Sequence, residues 1–433
     1  MFCEAIDLHA VAREYGTPAY VYSASAIRLN YQAYENGLAD VPHRICFAVK
    51  SNSNLAVLSL LAQEGAGFDI VSGGELFRVL AAGGDPAKVV FSGVGKTEEE
   101  IRFALEHRIH SFNCESEAEI SLISRIATDL GCTASIAIRV NPDVDATTHP
   151  YISTGLREHK FGIDIDRAED LYLSASLLSG VAAEGVSCHI GSQLLSIEPV
   201  LEAADKVLAL IDRLQRRGLP IRYLDLGGGL GVPYRKDENG VPISVFVEHI
   251  LARTRTNDLT LMLEPGRSIV AEAGILLTRV LLVKENGRKT FVIVDAAMND
   301  LLRPALYQAH HEIEVLPSPL EKLSRTSSAS LITADIVGPV CETGDFFARD
   351  RTMSRPEPGD LITIKTAGAY GFVLSSNYNS RPRACELLVD GSRIHIARKR
   401  ETYEDLIRGE APALGHTVQE DDRFAGDRCK GPA

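Results

Sequence analysis

The sequence predicts an α/β fold, a barrel of eight strand–helix units followed by an all-β domain. From about residue 43 to residue 275, short β-branched runs alternate with amphipathic stretches, which is typical of parallel strands joined by helices. After residue 275 the helical pattern ends, and short runs are separated by turn residues. The length of 433 residues and the 45% hydrophobic content suit a globular chain of two or three domains.

Apolar, β-branched runs predict the eight barrel strands. These runs are Ile45–Lys50, Phe68–Ser72, Val89–Gly93, His110–Cys114, Ser135–Val140, Val186–Ile190, Tyr223–Leu226 and Leu259–Glu264. The amphipathic stretches between them include Leu55–Glu64, Glu75–Ala82, Glu98–His107, Glu115–Leu130 and Val200–Arg217. Eight such units imply a closed (β/α)8 barrel, whose active site lies at the carboxyl ends of the strands.

The second half of the chain carries two hairpin signals, an Asn-Gly pair and an Asp-Gly pair between apolar runs. They predict hairpins of Ile275–Val283 with Thr290–Val294, and of Glu386–Val389 with Arg393–Ala397. Further strands are predicted at Ile332–Val337 and Leu361–Thr366. The opening run Ala19-Tyr20-Val21-Tyr22 precedes the barrel and is a candidate for a strand of it. From these signals we predict a barrel over 27–275, the β domain over 276–411, and a disordered tail over 412–433.

Composition narrows the choice of partners and compartment. The net charge of −13 argues against a nucleic-acid partner, because nothing resembles a basic stripe. No apolar run is long enough to span a bilayer, and the N-terminus lacks the basic and apolar regions of a secretion signal. The eight cysteines form no CxxC pair, so free thiols in a reducing cytoplasm are expected, and no metal site is predicted.

Residues with chemical capacity fall at the ends of the predicted strands. Lys50 closes the first strand, and a lysine there is usually a solvated charge, although a partly desolvated amine at a barrel mouth forms Schiff bases. The other strands carry Asp69 with Ser72-Gly73-Gly74-Glu75, Arg139-Val140-Asn141, His189-Ile190-Gly191-Ser192-Gln193, Asp225 with Gly227-Gly228-Gly229-Leu230-Gly231, and Glu264-Pro265-Gly266-Arg267. Because strand ends converge in a barrel, these groups are expected around one cavity.

The glycine run after the seventh strand favours an anion nest, since its backbone N–H groups lack the obstruction of a Cβ atom. Loops after the seventh and eighth strands commonly hold phosphate in this fold. A lysine, a phosphate nest, an imidazole and a carboxylate together fit pyridoxal 5'-phosphate (PLP). Glu264 would face the ring nitrogen and His189 the ring face. A plain tight turn, a core histidine and a helix-start carboxylate are the alternatives for these motifs.

In sequence, the chain resembles the diaminopimelate decarboxylases, a family of fold type III PLP-dependent decarboxylases. The resemblance runs from about residue 5 to residue 411. Its motifs are Phe47-Ala48-Val49-Lys50-Ser51-Asn52, Ser72-Gly73-Gly74-Glu75, His189-Ile190-Gly191-Ser192-Gln193, Gly227-Gly228-Gly229-Leu230-Gly231, Glu264-Pro265-Gly266-Arg267, Cys341-Glu342-Thr343-Gly344-Asp345 and Gly368-Ala369-Tyr370-Gly371.

The resemblance implies a PLP-binding barrel followed by a β domain, as in alanine racemase and ornithine decarboxylase. It also implies that an N-terminal segment, 1–26, contributes to the β domain. It implies that Lys50 carries the cofactor as an internal aldimine, that His189 stacks on the ring and that Glu264 contacts the ring nitrogen. The other cofactor contacts that we expect are Asp69, Ser192, Gly227, Gly228, Gly229, Gly266, Arg267 and Tyr370.

The same resemblance implies decarboxylation of meso-2,6-diaminopimelate to L-lysine and CO2, the last step of lysine biosynthesis. The implied substrate contacts are Arg267, Arg303, Tyr307, Glu342 and Tyr370. Cys341 is the implied acid that protonates the carbanion. Cys341 and Glu342 are expected to reach the active site of a partner subunit, which makes the active unit a homodimer.

Other functions stay open at this point. A related decarboxylase of ornithine, lysine or carboxynorspermidine shares the fold, and so does a racemase. A chain that kept the fold without catalysis is an alternative of another class, although the intact Lys50, Glu264 and Cys341 argue against it. A Schiff-base aldolase without PLP would leave the glycine nest without its anion.

Overall fold

The computed structural model describes residues 1–144, 160–254, 258–317 and 330–411, and contains a closed barrel of parallel strands and a separate β domain. This confirms the predicted fold class. The predicted disordered tail, 412–433, lies outside the described residues. Among the helices of these ranges, none combines the length and the apolar composition that a membrane crossing requires.

The N-terminal elements lead from the β domain into the barrel. They are β1 (Phe2–Cys3), β2 (Ile6–Asp7), α1 (Leu8–Tyr15), β3 (Ala19–Ser23) and α2 (Ala24–Leu38). Ser23 ends β3 and also caps α2, because its side chain accepts a hydrogen bond from the N–H of Ala26. A strand of the β domain thus leads directly, with no intervening residue, into the first helix that packs on the barrel.

The barrel elements alternate along the chain. They are β4 (His43–Ala48), α3 (Leu55–Gln63), β5 (Gly67–Ile70), α4 (Gly73–Ala81), β6 (Val89–Phe91), α5 (Glu98–Glu106), β7 (Ser111–Cys114), α6 (Glu117–Asp129), β8 (Ala134–Asn141), β9 (Ile163–Asp164), α7 (Ile165–Ala175), β10 (Val181–Ser187), α8 (Glu198–Arg216), β11 (Tyr223–Asp225), α9 (Ile243–Thr254), β12 (Thr260–Leu263) and α10 (Arg267–Val270).

Parallel pairing closes this barrel. The ring runs from β4 through β8 to β10, β11 and β12, and it closes where Leu263 of β12 pairs with Ile45 of β4. The short β9 pairs only with the last two residues of β8, beyond the stretch that pairs with β10. Helices cover the outside, so the strands are buried on both faces and read in the sequence as continuous apolar runs.

Side-chain caps start the helices directly after the strand-end loops. Ser72 caps α4 and Ser116 caps α6, each by accepting a hydrogen bond from an N–H of the first turn. Thr97 and Glu100 form a capping box at the start of α5. Because the helices begin at these caps, the loops at the barrel mouth are short. The predicted site residues lie at this mouth.

Several strand boundaries differ from the predicted ones. The first strand was expected to reach Lys50, but β4 ends at Ala48, and Lys50 lies in a 3₁₀ turn over Val49–Ser51. The chain must turn there to enter α3, and the N–H of Asn52 closes the turn on Val49. The sixth strand was expected over Val186–Ile190, whereas β10 begins at Val181. Alanine and glycine fill much of its first half and have weak strand propensity, so pairing with β8 determines where it begins.

The β domain follows the barrel in sequence. Its elements are β13 (Gly274–Asn286), β14 (Lys289–Val294), α11 (Arg303–Tyr307), β15 (Ile313–Leu316), β16 (Leu331–Val337), β17 (Phe346–Ser354), β18 (Leu361–Ile364), β19 (Cys385–Asp390), β20 (Arg393–Arg398) and α12 (Tyr403–Leu406). Both predicted hairpins are present, as β13 with β14 and β19 with β20. The sequence analysis missed β15 and β17, and charged residues at the centre of β17 hide its apolar pattern.

The strand order in the main sheet of this domain is β17, β16, β14, β13, β3, β19 and β20. The N-terminal strand β3 therefore lies in the interior of the sheet, antiparallel to β13 and parallel to β19. At the boundary with the barrel, Tyr22 of β3 donates a 2.8 Å hydrogen bond to Glu386, which also accepts from Arg398 at 2.9 Å. Folding of the β domain thus requires residues from both ends of the chain.

We expect Leu277→Ala to destabilise the protein by about 2–5 kcal/mol, because it leaves a cavity where β13, β3 and β18 meet. Leu277 is fully buried in a core cluster with Val21, Leu361 and Leu387. Urea unfolding followed by circular dichroism measures the loss.

The matched control is Leu29→Ala, since Leu29 is 68% exposed on α2. Its unfolding midpoint should stay close to that of the wild type, within about 0.5 kcal/mol. Equal midpoints for the two variants would show that β3 and β13 do not form a packed interior.

Candidate active site

A cavity of 440 Å³ lies at the carboxyl ends of the barrel strands, where the β domain covers them. It brings together seven of the predicted site residues, namely Lys50, His189, Ser192, Arg267, Arg303, Tyr307 and Tyr370. Two clefts of 640 and 690 Å³ are larger, but no lysine lines either of them. The chemistry of the lining, and not the size, therefore identifies the 440 Å³ cavity as the candidate active site.

The amine of Lys50 is paired with a buried carboxylate. Its Nζ atom donates to Oδ2 of Asp69 at 2.5 Å, and the Asp69 side chain is completely buried in β5. Burial acts to lower the pKa of Lys50, but its acidic neighbours, chiefly Asp69, together outweigh it and raise the pKa above its ordinary value. Lys50 is therefore held in its protonated, cationic form beside Asp69.

Glu264 belongs to a buried group of polar side chains that β6, β7 and β11 supply. Nδ2 of Asn113 lies 3.1 Å from Oε1 of Glu264 and 3.2 Å from Oδ2 of Asp225. Burial and the charges of Asp225 and Asp69 raise the pKa of Glu264 well above its ordinary value, and burial also raises the pKa of Asp225. In both side chains the protein environment therefore favours the protonated form over the charged one.

His189 lies two residues after the end of β10 and faces the same cavity. Burial and the positive charges of Arg139 and Lys50 lower its pKa well below the ordinary value. The imidazole is therefore neutral, and its flat face can contact an aromatic ring without adding charge.

In the glycine run after β11, fewer backbone N–H groups are available to bind an anion than the sequence predicts. The N–H of Gly227 donates to Oδ1 of Asp225 at 2.8 Å, and the N–H of Gly231 donates to Leu194 at 2.9 Å. Gly228 approaches the next loop so closely that a Cβ atom would lie 2.2 Å from the carbonyl oxygen of Glu264. Gly228 and Gly229 thus remain as the candidates for phosphate contacts within this run.

Gly266 and Tyr370 connect the barrel mouth to the β domain. Gly266 lies against Ala48 and Ser51, where a Cβ atom would come within 2.9 Å of existing atoms. The N–H of Tyr370 donates to the carbonyl oxygen of Ser51 at 2.8 Å. This bond fixes Tyr370 beside the turn that carries Lys50.

Two guanidinium groups occupy the outer wall of the cavity. Arg267 donates to the Tyr234 hydroxyl at 2.7 Å and to the Ser192 hydroxyl at 3.0 Å, and its Cζ atom lies 4.8 Å from the Tyr370 ring centroid. Arg303 lies over the Tyr234 ring at 4.4 Å. Within the described ranges, no carboxylate forms a salt bridge with either guanidinium, so both can bind an anionic group.

Cys341 and Glu342 do not line this cavity in the single chain. They lie in the loop between β16 and β17, and both are exposed. The N–H of Cys341 donates to Oδ1 of Asn379 at 2.8 Å, and the Tyr378 hydroxyl donates to Glu342 at 3.1 Å. These two predicted residues are therefore available on the surface and are separate from the group around Lys50.

Sequence reasoning missed three residues that support the site. Tyr234 comes shortly after the glycine run, and an aromatic residue in a loop after the seventh strand was a detectable signal. Asn113 is the third residue of a short buried strand, and a polar residue in such a strand was a second detectable signal. His311 contacts Arg303 from the β domain, and no local pattern reveals that contact.

The residues of the site fit PLP, because buried polar atoms among them lack a hydrogen-bond partner within the described part of the chain. Oδ1 of Asp69 and Nε of Arg267 are both buried and have no hydrogen-bond partner in the described part of the chain. These two atoms belong to the same site as the Lys50 amine and as Gly228 and Gly266, the two glycines that pack closely against a neighbouring loop. A phosphorylated, aldehyde-bearing pyridine would supply groups for all of these positions. No cluster of three or more metal-ligating side chains occurs in the described ranges.

Comparison with known proteins agrees with this chemistry. Residues 24–271 match the family described as pyridoxal-dependent decarboxylase, pyridoxal binding domain. Over 411 residues the chain is 56% identical to the diaminopimelate decarboxylase of Pseudomonas aeruginosa, with 95% of this chain and 97% of that protein covered. The chain belongs to the diaminopimelate decarboxylase family. The Vibrio cholerae member is 51% identical over 407 residues, with 94% and 95% covered.

Solved members of the diaminopimelate decarboxylase family share the whole architecture. The Helicobacter pylori enzyme, complexed with L-lysine, matches with a TM-score of 0.87 at 44% identity, covering 93% of this chain and 98% of that one. The M. jannaschii enzyme, also in complex with L-lysine, has a TM-score of 0.87 at 38% identity, with 94% and 95% covered. The barrel and the β domain are therefore both features of the family.

We expect Gly228→Ala to weaken PLP binding at least about tenfold, since about 1.4 kcal/mol is lost when one backbone hydrogen bond is displaced. The added Cβ would lie 2.2 Å from the Glu264 carbonyl oxygen, so one of the two loops must move. Titration of the apoprotein with PLP, followed by the absorbance of the bound cofactor, gives the dissociation constant.

Gly95→Ala is the matched control, because a Cβ atom at Gly95 meets no atom within 4 Å. Its PLP affinity should equal that of the wild type. If Gly228→Ala binds PLP with unchanged affinity, the glycine run does not contribute to the cofactor site.

Proposed function

We propose that this protein is a PLP-dependent carboxy-lyase that converts meso-2,6-diaminopimelate to L-lysine and CO2, the last step of lysine biosynthesis. The observation that carries the proposal is one cavity that holds both the Lys50 amine and the guanidinium groups of Arg267 and Arg303. The amine suits a carbonyl cofactor, and the guanidinium groups suit a substrate with a second carboxylate. Identity of 56% to a diaminopimelate decarboxylase supports the same substrate.

Lys50, Asp69, His189, Ser192, Gly228, Gly229, Glu264, Gly266, Arg267 and Tyr370 are the residues that would hold the cofactor. When bound, PLP would supply an aldehyde that condenses with amino groups and a pyridine ring that accepts the electron pair left behind when CO2 departs. Lys50 must lose a proton before it acts as a nucleophile. Oδ2 of Asp69, 2.5 Å away, orients the amine and holds it in the cavity until that proton leaves.

Glu264 and His189 prepare the site for that chemistry. Glu264 keeps a proton available to a ring nitrogen because burial and the neighbouring carboxyl of Asp225 favour its protonated form. The neutral His189 offers a flat face to the ring and leaves the charge balance unchanged. Together they hold a proton at one end of the cavity and restrict water around the reacting bond.

Substrate selection would depend on the far wall of the cavity. Arg303, Arg267 and Tyr307 suit the carboxylate of the second amino-acid group, and Glu342 suits its ammonium group. A substrate without a far carboxylate, such as a simple diamine precursor, would leave two buried guanidinium groups unpaired. This cost favours diaminopimelate over ornithine or lysine.

We infer that the active unit is a homodimer in which Cys341 and Glu342 of one copy complete the site of the other. Both residues are exposed on the loop between β16 and β17 and do not line the cavity of their own chain. Cys341 would then donate the proton that replaces CO2 on the substrate carbon. This arrangement makes catalysis depend on subunit association.

We also infer a cytoplasmic location and no nucleic-acid partner. The cysteines of the described ranges are all free, as expected in a reducing compartment, and the net charge of −13 repels a phosphate backbone. Cell fractionation tests the location, and recovery of the protein outside the cytoplasm would contradict it.

Incubation of the PLP-loaded protein with meso-diaminopimelate should release CO2 and L-lysine in equal amounts. Lys50→Ala should lose activity by roughly a thousandfold or more, because the cofactor has no covalent anchor and the site has no primary amine. Borohydride reduction followed by peptide mapping should label Lys50 in the wild type and nothing at this position in the variant.

Ornithine and lysine serve as comparison substrates in the same assay. Faster turnover of either one would reassign the substrate, and inversion with retention of the carboxylate would indicate a racemase. A fully active Lys50→Ala protein would refute the role of the amine.

Mixing Lys50→Ala subunits with Cys341→Ala subunits should restore activity to about a quarter of the wild-type value. Random association makes half of the dimers mixed, and each mixed dimer has one site with both groups intact. Activity is measured after dissociation and reassociation, and each variant reassociated alone is the control. No recovery in the mixture, with normal dimer formation, would place both residues in the site of one chain.

A further inference from the structure

His311 lies behind Arg303, outside the ring of residues that touch the cavity. It is completely buried between α11 and β15 and makes one contact on each side of its ring. Nδ1 lies 2.8 Å from the carbonyl oxygen of Lys365, and Nε2 lies 3.1 Å from a terminal guanidinium nitrogen of Arg303. The two contacts together determine the protonation of the ring.

A carbonyl oxygen only accepts hydrogen bonds, so Nδ1 of His311 must carry a proton. A guanidinium only donates, so Nε2 must present its lone pair. The ring is therefore neutral and held in one tautomer. Burial and the positive charge of Arg303 lower the pKa of His311 to about 3, which agrees with this assignment.

The other contacts of Arg303 are also free of negative charge. Its guanidinium lies 4.4 Å from the Tyr234 ring centroid, and the Tyr234 ring meets His311 edge-on at 5.3 Å. In the described ranges, no carboxylate lies within salt-bridge distance of it. Arg303 is thus oriented by neutral partners, although it is only 6% exposed.

In this arrangement the guanidinium of Arg303 is held in one orientation while its positive charge is not neutralised. A carboxylate at position 311 would hold Arg303 equally well, but it would cancel the charge that attracts an anionic ligand. An apolar residue would keep the charge but would leave a guanidinium N–H of Arg303 without an acceptor. A neutral acceptor avoids both effects.

We propose that His311 is a positioning residue for substrate recognition, holding Arg303 as an uncompensated cation that receives the far carboxylate of the substrate. The inference rests on the proposed function. It adds a residue from the β domain that never touches the substrate but controls how strongly the cavity distinguishes a carboxylate-bearing ligand from a plain diamine.

The test compares two ligands by calorimetric titration of the PLP-loaded protein. L-lysine carries the carboxylate that the product retains, and 1,5-diaminopentane lacks it. In His311→Glu, the dissociation constant of L-lysine should rise at least about tenfold, whereas that of 1,5-diaminopentane should stay within about twofold. In turnover, the KM for meso-diaminopimelate should rise much more than kcat falls.

Two neutral variants separate the two contacts of His311 and keep the test informative if His311→Glu does not fold. The amide of His311→Gln reaches Arg303 and can accept its hydrogen bond, so L-lysine affinity should approach the wild-type value. The shorter His311→Asn can still donate to Lys365 but does not reach Arg303, so its L-lysine affinity should fall. His43→Gln is the matched control, since His43 is a half-buried histidine bonded to Val41 and Glu35.

The pattern across variants decides the outcome. Equal losses for both ligands, or equal behaviour of the Gln and Asn variants, would overturn the positioning role and leave a structural one. A wild-type protein that binds L-lysine in preference to 1,5-diaminopentane but does not decarboxylate meso-diaminopimelate would reject the proposed function alone, because the ligand comparison still tests His311.

Discussion

Closure of the barrel between its first and last strands is the constraint on which the active site depends. Leu263 of β12 pairs with Ile45 of β4, so the loops that follow these strands lie side by side. One loop carries Glu264 and the other carries Lys50. The N–H of Ala48 also donates to the carbonyl oxygen of Pro265 at 3.0 Å, which connects the loops beyond the last ladder pair. Without closure these groups would lie at opposite edges of an open sheet.

The β domain is the second requirement, because it closes the cavity and brings Arg303 and Tyr370. Its sheet is complete only when β3, from the N-terminal segment, lies between β13 and β19. The same strand continues into α2, which packs on the barrel. A Cβ atom on Gly368 would lie 1.8 Å from the carbonyl oxygen of Val270, so the two domains approach here as closely as backbones permit. Tyr370 follows two residues later.

Charge is distributed unequally along the cavity. Three buried carboxyl groups, those of Asp69, Asp225 and Glu264, lie among the barrel strands and their ends. Lys50, Arg267 from the barrel helix α10, and Arg303 from the β domain line the cavity with positive charge. Such an arrangement orients a ligand that is cationic at one end and anionic at the other. The raised pKa of Glu264 and the lowered pKa of His311 have the same main cause, since burial disfavours charge in both side chains.

The sequence by itself determined the eight strand–helix units, the later hairpins and most of the residues around the cavity. Parallel barrel strands are buried on both faces and so stand out as apolar runs, and the loops after them carry the reactive residues. Tertiary structure decided what depends on contacts between distant segments. It moved Lys50 from a strand end into a turn, extended β10 through alanine and glycine, and placed β3 in the interior of the sheet between β13 and β19. It also placed His311 behind Arg303. Local patterns report burial and periodicity along the chain, whereas a single hydrogen bond between two side chains, such as that of Arg303 and His311, leaves no periodic trace in the sequence.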